Sequence, residues 1–216
     1  MRVLGISGSP RRGQTTERLV QRVLGAIKGH ETEFVSLAGL NIKPCGACLG
    51  CTGDNTCVLT DDMEALRPLL ERADAYVIGA PNYFSMLNAQ MHALMERWFQ
   101  FRHRGGEAVR GKLGVAIGVG GSDPNAPAVN IETFFRYNGI ECIGRVTAMG
   151  ANPCYVCGHG ITCRDGAVFA RLAPGQTEIT DEMVPDLSKQ PEVIARALRI
   201  GQLLSQRLSG ASPPAT

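Results

Sequence analysis

Four cysteines crowd into "CGACLGCTGDNTC", residues 45–57: Cys45, Cys48, Cys51 and Cys57. The spacing is Cys-x2-Cys-x2-Cys-x5-Cys, so the first three thiols fall within seven residues. A chain that carries them so close must wrap one small object, and Gly46, Gly50 and Gly53 lend it backbone freedom. Three closely spaced cysteines plus one more is a recurrent iron–sulfur arrangement. Structural zinc more often takes two Cys-x2-Cys knuckles separated by a longer stretch. A disulfide framework needs an oxidising compartment, and no leader segment points to one. The spacing therefore favours a [4Fe–4S] cluster over zinc, and either over inert buried thiols.

A second set follows in "PCYVCGHGITC", residues 153–163. Cys154, Cys157 and Cys163 repeat the spacing of Cys48, Cys51 and Cys57, but the position matching Cys45 is Ala151. Cys142 and His159 are candidates for a fourth ligand, Cys142 fitting a buried core position better. Three readings stand side by side: a second metal site (iron–sulfur or zinc), a redox-active Cys154–Cys157 pair, and a loop with incidental thiols.

A third stretch, "SGSPRRGQTT" (7–16), has the chemistry of a phosphate seat. Glycines turn the chain into a helix N-terminus, whose unpaired amides and partial positive charge suit an anion. Ser7, Ser9, Thr15 and Thr16 add hydroxyls, and Arg11 and Arg12 add cations. The loop is neither Gly-x4-Gly-Lys-Ser/Thr nor Gly-x-Gly-x2-Gly. A polar strand–helix turn with a good cap is the plain alternative.

These residues need elements to hold them. Residues 2–7, 31–38, 75–81, 111–121 and 140–149 read as strands. Helical spacing covers 15–29, with Thr15 or Thr16 as cap and Gly29 as stop, and recurs at 60–74, 88–101, 128–139 and 191–210. Pro68 should kink the second helix. Alternating strands and helices give an α/β fold with a doubly wound five-stranded parallel sheet, order 2-1-3-4-5. Ligands of such sheets lie beyond the carboxyl ends of the strands, where loops 8–14, 81–88 and 118–127 fall. The cysteine loop, 41–60, follows the second strand, and the second cysteine segment follows the fifth. One domain is expected over 1–210, and the tail 211–216 is expected to be disordered.

Two further stretches complete a pattern. "GAPNYFSMLNAQMHALMERW" (79–98) offers a flat, largely apolar ring the mixture of Pro81, Asn82, Tyr83, Phe84, Ser85 and Met86. Tyr83 and Phe84 as ordinary core residues is the plain alternative. "GVGGS" (118–122) brings Gly120 to the same edge. With "GSPRRGQT" and "FFRYNGIECIG" (134–144), these stretches resemble the flavodoxin-like NADPH-dependent FMN reductase family over about residues 1–150. The cysteine loop after the second strand resembles one subfamily, the iron–sulfur flavoproteins. The resemblance implies FMN held by Ser7, Ser9, Arg11, Gln14, Thr15, Thr16, Pro81, Asn82, Tyr83, Phe84, Ser85 and Gly120. It implies a [4Fe–4S] cluster on Cys45, Cys48, Cys51 and Cys57, facing the FMN of a neighbouring subunit in a homo-oligomer.

No Ser/His/Asp set, carboxylate pair or His-Glu-x2-His is present, so cofactors must carry the chemistry. The basic group "RHRGG" (102–106) reads as a solvated helix exit. The net charge of +2 selects no polyanionic partner, and no apolar run reaches the eighteen or so residues of a membrane helix. No nucleic-acid or membrane partner is expected, and a reducing, cytoplasmic location is the default. The expected function is an oxidoreductase passing electrons between the cluster and FMN, linking a one-electron carrier such as ferredoxin to a two-electron acceptor. Its rivals are an NAD(P)H-dependent FMN or quinone reductase with structural zinc, and a cysteine-rich redox-sensing module without flavin.

Overall fold

The computed structural model describes residues 1–210. In chain order the strands are β1 (Arg2–Ser7), β2 (Glu31–Ser36), β3 (Ala75–Tyr83), β4 (Met86–Leu87), β5 (Leu113–Gly120) and β6 (Glu141–Met149). The sheet runs β2-β1-β3-β5-β6, parallel throughout, and the two-residue β4 pairs antiparallel with β3. This is the expected doubly wound order with one strand added. The sequence pattern reads residues 81–88 as a loop because β4 is too short to show a period.

Alternation along the strands builds two cores. Leu4, Ile6, Tyr76, Ile78 and Ala116 face α2 (Met63–Arg72), α3 (Ala89–Arg97) and α4 (Asn125–Tyr137). Val3, Val77, Val115, Ile117 and Val146 face α1 (Thr15–Gly25) and α5 (Pro191–Leu208). Side chains of period two on a sheet buried on both faces give this near-continuous apolar composition. Trp98, just past α3, is 1% exposed and is met edge-on by Tyr76, Phe101 and Phe134 at centroid distances of 5.2, 5.7 and 5.1 Å. Such T-shaped contacts fix α3 against the sheet.

Several boundaries differ from expectation. Helix α1 stops at Gly25, not Gly29, and Ile27 still reaches the core from the following turn. Its cap position is Gln14 rather than Thr15 or Thr16, with no side-chain hydrogen bond to the first turn. Helix α2 runs through Pro68, the lost amide tolerated in a helix of ten residues. Beyond α3 the chain tightens into a 3-10 stretch, Trp98–Gly105. Residues 150–190 hold only four short 3-10 turns. No helix is long and apolar enough to cross a membrane among the described residues, and the tail 211–216 lies outside them.

Candidate functional site

A cavity of about 340 Å³ opens beyond the carboxyl ends of β1, β3, β5 and β6. Ser9, Arg11, Gln14, Thr15 and Thr16 line it from the first loop, and Pro81, Asn82, Tyr83 and Phe84 from the β3–β4 hairpin; Gly120 lies at the end of β5. Two of the expected residues stand apart. Ser7 is fully buried and its Oγ accepts the Ser9 amide at 3.4 Å. Ser85 sits at the hairpin tip, its amide donating to Asn82 Oδ1 at 2.8 Å. Arg12 also points elsewhere, donating to the Ala38 carbonyl at 2.5 Å. Arg11 is the cation at the cavity, and it donates to the Ala151 carbonyl at 2.6 Å.

The hairpin explains the aromatic rim. Pairing Asn82 with Leu87 and Tyr83 with Met86 leaves a two-residue loop, Phe84–Ser85. Both loop residues are left-handed, with φ of 53° and 61°. Such a turn suits the strand twist but normally takes Asn or Gly, so two other side chains here hold strain. Asn82 braces it, its Oδ1 accepting from Ser85 and its Nδ2 donating to the Asp123 carbonyl at 2.5 Å. The result holds Phe84 out, 97% exposed, with Tyr83 beside it at 45%. Neither is a core residue. The opposite wall depends on Gly118, where a Cβ would lie 2.0 Å from the Pro124 carbonyl oxygen. Only glycine lets the chain after β5 return so closely over the strand end.

Sequence reasoning missed the fourth wall. Gly150, Ala151, Asn152 and Pro153 line the cavity just after β6, and Gly121 after β5. The available signal was topological: every parallel strand of the sheet opens on the same edge. Together these groups fit a flat apolar ring carrying a phosphate. The first-turn amides of α1 lack a side-chain cap, Arg11 adds charge, and an aromatic rim stands free.

The cysteine loop is closed at its base and pinned along its length. Asn41 donates its amide to Asp62 Oδ2 at 2.6 Å, and Lys43 to Asp61 Oδ2 at 2.9 Å. Arg97 donates to Asp61 at 2.5 Å and to the carbonyls of Lys43 and Leu59 at 3.1 and 3.4 Å. The Arg97 and Asp61 side chains are 1% and 0% exposed. Burial alone would push the Asp61 carboxyl up. The hydrogen bonds from Arg97 and the amides of Lys43 and Met63, with the Arg97 charge, outweigh it and hold the carboxyl below its ordinary value.

Further along, α3 and the turn after it contact the loop at regular intervals. The Cys45 amide donates to Glu96 Oε2 at 3.1 Å, and the Cys57 amide to Gln100 Oε1 at 3.1 Å. Cys51 Sγ lies 3.2 Å from His103 Nε2, and Arg104 donates to the Gly53 carbonyl. Glu96 belongs to α3 and Gln100 to the 3-10 stretch, whereas His103 (ψ of 155°) and Arg104 (φ of 51°) have left helical geometry and reach the loop from the reversal that follows. The basic stretch expected to be solvated is therefore partly a support for the loop. The loop's reversals also differ from expectation. Ala47, Leu49 and Asn55 take positive φ, while Gly46, Gly50 and Gly53 do not.

All eight cysteines are free. Cys45, Cys48, Cys51 and Cys57 share the loop, but no three His, Cys, Asp or Glu side chains stand close enough to share one metal ion among the described residues. The spacing had implied thiols already wrapped around a point. Burial pushes the Cys51 thiol up, a backbone hydrogen bond pulls it part of the way back, and the neighbouring Cys57, Cys45 and Cys48 push it up further. The donor set, four sulfurs on one pinned loop, fits a cluster. Cys154 is half-buried, and Cys157 and Cys163 are exposed. Cys142 belongs to β6, where its Sγ donates to the Gly144 carbonyl at 3.5 Å and burial pushes it up. It lies at the strand end remote from Cys154, so it is not the fourth ligand considered for that set.

The NADPH-dependent FMN reductase family matches residues 1–148. An iron-sulfur flavoprotein of Methanocaldococcus jannaschii is 36% identical over 149 residues, 67% of this chain and 76% of that one. An iron-sulfur flavoprotein of Methanosarcina thermophila is 38% identical over 124 residues, 56% of this chain and 64% of that one. Among solved structures, RosB with a bound formylriboflavin phosphate intermediate superposes with a TM-score of 0.64 at 15% identity, covering 97% of this chain and 81% of that one. The NAD(P)H:quinone oxidoreductase of Methanothermobacter marburgensis gives 0.59 at 14%, covering 94% and 96%. At such identities the structures bear on the fold.

Proposed function

Because the chain belongs to the NADPH-dependent FMN reductase family, in its iron–sulfur flavoprotein branch, and is an FMN-dependent oxidoreductase, we propose that it exchanges electrons between FMN and a [4Fe–4S] cluster. The cluster ligands in this reading are Cys45, Cys48, Cys51 and Cys57, and FMN occupies the 340 Å³ cavity. When bound, FMN supplies one- or two-electron chemistry and the cluster one-electron chemistry, so the pair links a carrier such as ferredoxin to a two-electron acceptor.

The chain's own residues position and insulate. Arg11, Gln14, Thr15 and Thr16, with the uncapped start of α1, hold the phosphate. Asn82 fixes the strained hairpin that sets Tyr83 and Phe84 against the ring. Glu96, Gln100 and His103 hold the cysteine loop. The observation that carries the proposal is α3. It begins directly after the hairpin that borders the cavity, and its far end grips the cysteine loop. One rigid element thus ties both redox sites together. The proposal includes one FMN-binding domain over residues 1–210, a homo-oligomeric assembly, and a reducing cytoplasm that keeps the thiols free.

Anaerobic purification tests it. The expected protein carries FMN and about four iron and four sulfide per chain. Cys48→Ser with Cys51→Ser removes iron and leaves flavin; Arg11→Ala weakens flavin and leaves iron. Zinc in place of iron would instead indicate a reductase with structural zinc. A colourless protein with reactive thiols would indicate a redox-sensing module. Either overturns the proposal.

A further inference from the structure

We propose that Cys154, Cys157 and Cys163, with His159, form a structural zinc site that orders the fourth wall of the cavity. The family match ends at residue 148, so this segment needs its own explanation.

The local chain is built as a knot. Asn152 Oδ1 accepts the Cys154 amide at 3.1 Å and caps a 3-10 turn, Pro153–Tyr155. The chain then reverses at Gly158, whose φ of 80° a side chain would oppose. That reversal brings the His159 amide to Cys157 Sγ at 3.4 Å. Cys157 Sγ itself donates to the Cys154 carbonyl at 3.7 Å, which closes the turn. A second turn follows, with the Cys163 amide donating to the His159 carbonyl at 2.9 Å. Gly160 is buried so tightly that a Cβ there would lie 2.4 Å from the Cys154 carbonyl oxygen. The three cysteines therefore sit on successive turns of one closed unit.

Energetics says why a metal is needed. Between residues 151 and 186 only Tyr155, Gly160, Gly166 and Val168 are buried. That is too little apolar surface to offset the entropy of ordering so long a stretch without regular elements. A small metal site supplies the missing folding free energy. The donors do not converge on one point in this structure, so binding requires the exposed Cys157, His159 and Cys163 side chains to turn inward.

Donor chemistry selects zinc. Within 153–163 the thiol and imidazole donors are Cys154, Cys157, His159 and Cys163. Three thiolates and one imidazole form a tetrahedral structural zinc set, whereas a cubane generally takes four thiolates. Cys142 does not supply the fourth, since β6 separates it from the knot by about 25 Å at 3.3 Å per residue. The consequence reaches the cavity. Ala151, Asn152 and Pro153 line it, and Arg171 ties the segment across to the Gly121 carbonyl at 3.0 Å. This holds whatever the cavity binds.

The test is a metal inventory on three proteins. Wild type and the Cys45→Ser/Cys48→Ser/Cys51→Ser/Cys57→Ser variant should each retain one zinc per chain. The Cys154→Ser/Cys157→Ser/Cys163→Ser variant should lose it while keeping its iron. X-ray absorption at the zinc edge should show three sulfurs at about 2.3 Å and one nitrogen near 2.0 Å. If the triple variant does not fold, chelation of wild type replaces it, and the readout becomes proteolysis. Zinc removal should open cleavage within 154–171 and spare the sheet. Zinc unchanged by the triple variant, iron lost in its place, a Cys154–Cys157 disulfide in the purified protein, or chelation without new cleavage each overturns the site. The two cysteine sets are varied separately, so failure here is distinct from failure of the cluster assignment.

Discussion

Arg97 and Asp61 are the residues on which the cysteine loop turns, because both are buried and each neutralises the other. A buried pair of this kind is worth little against an apolar replacement, but breaking it strands a charge. Arg97→Met leaves the Asp61 carboxylate alone and deprives the Lys43 and Leu59 carbonyls of a donor. The expected cost is about 3–5 kcal/mol in urea unfolding, and Arg97→Met with Asp61→Leu should recover much of it. If the single variant unfolds like wild type, the ion pair does not close the loop. Asp186 makes a second, partly exposed pair with Arg18 at 2.6 Å, anchoring the end of the irregular segment to α1. Hydrogen bonds from Arg18, then from the Ser188 hydroxyl and amide, hold the Asp186 carboxyl well below its ordinary value. A lowered folded value adds stability that is fully present above the unfolded carboxylate range. It is lost as pH falls from about 4 downward. Asp186→Asn should therefore melt lower than wild type at neutral pH, with the difference shrinking in acid. A difference that stayed constant with pH would show that the carboxylate charge is not what matters.

At the scale of elements, α3 with its 3-10 extension acts as a rail for the cysteine loop. Glu96 and Gln100 each accept a cysteine amide, and both help fix where the loop places its thiols. Removing supports of this kind typically lowers metal affinity by ten- to a hundredfold. Glu96→Ala with Gln100→Ala should lose iron to a chelator that much more readily, with FMN content unchanged. Equal retention in both proteins would reduce the rail to a packing contact. The sheet and all five helices were legible in sequence because long periodic stretches report burial directly, as in Leu19, Val20, Val23 and Leu24 of α1. The first and second cavity loops were legible for a related reason, since parallel strands must open on one edge. What stayed hidden has no local signal. The β3–β4 hairpin rests on a turn with neither Asn nor Gly at its two loop positions, Phe84 and Ser85. His103 reaches Cys51 from 52 residues away, inside a stretch that reads as basic surface. Asn152 joins the cavity from a segment with no periodicity at all.

At the scale of the whole molecule, the strand-end cavity has a larger neighbour. A second hollow, of about 750 Å³, lies between the cysteine loop and the hairpin, lined by Cys45, Ala47, Met86, Met95, Phe99, Phe134 and Tyr137. Around it Leu49, Met86 and Tyr137 are 60%, 54% and 63% exposed. Contiguous apolar surface of this kind marks an interaction face rather than a solvated one. A second copy of the chain suits it, because the face spans from the cysteine loop to the hairpin bordering the cavity. A two-fold arrangement would present one chain's thiols to the other's hairpin. Light scattering after gel filtration should then find a dimer or larger assembly, burying upward of about 1,000 Å². Tyr137→Glu places a charge on the exposed end of α4, where it disturbs no buried contact of the single chain. It should shift the protein to monomer while FMN and iron contents hold, and slow electron exchange between them. A Tyr137→Glu protein that stays assembled would place the interface elsewhere. A monomeric wild type with rapid exchange would mean that each chain connects its own cluster and flavin, without a neighbour.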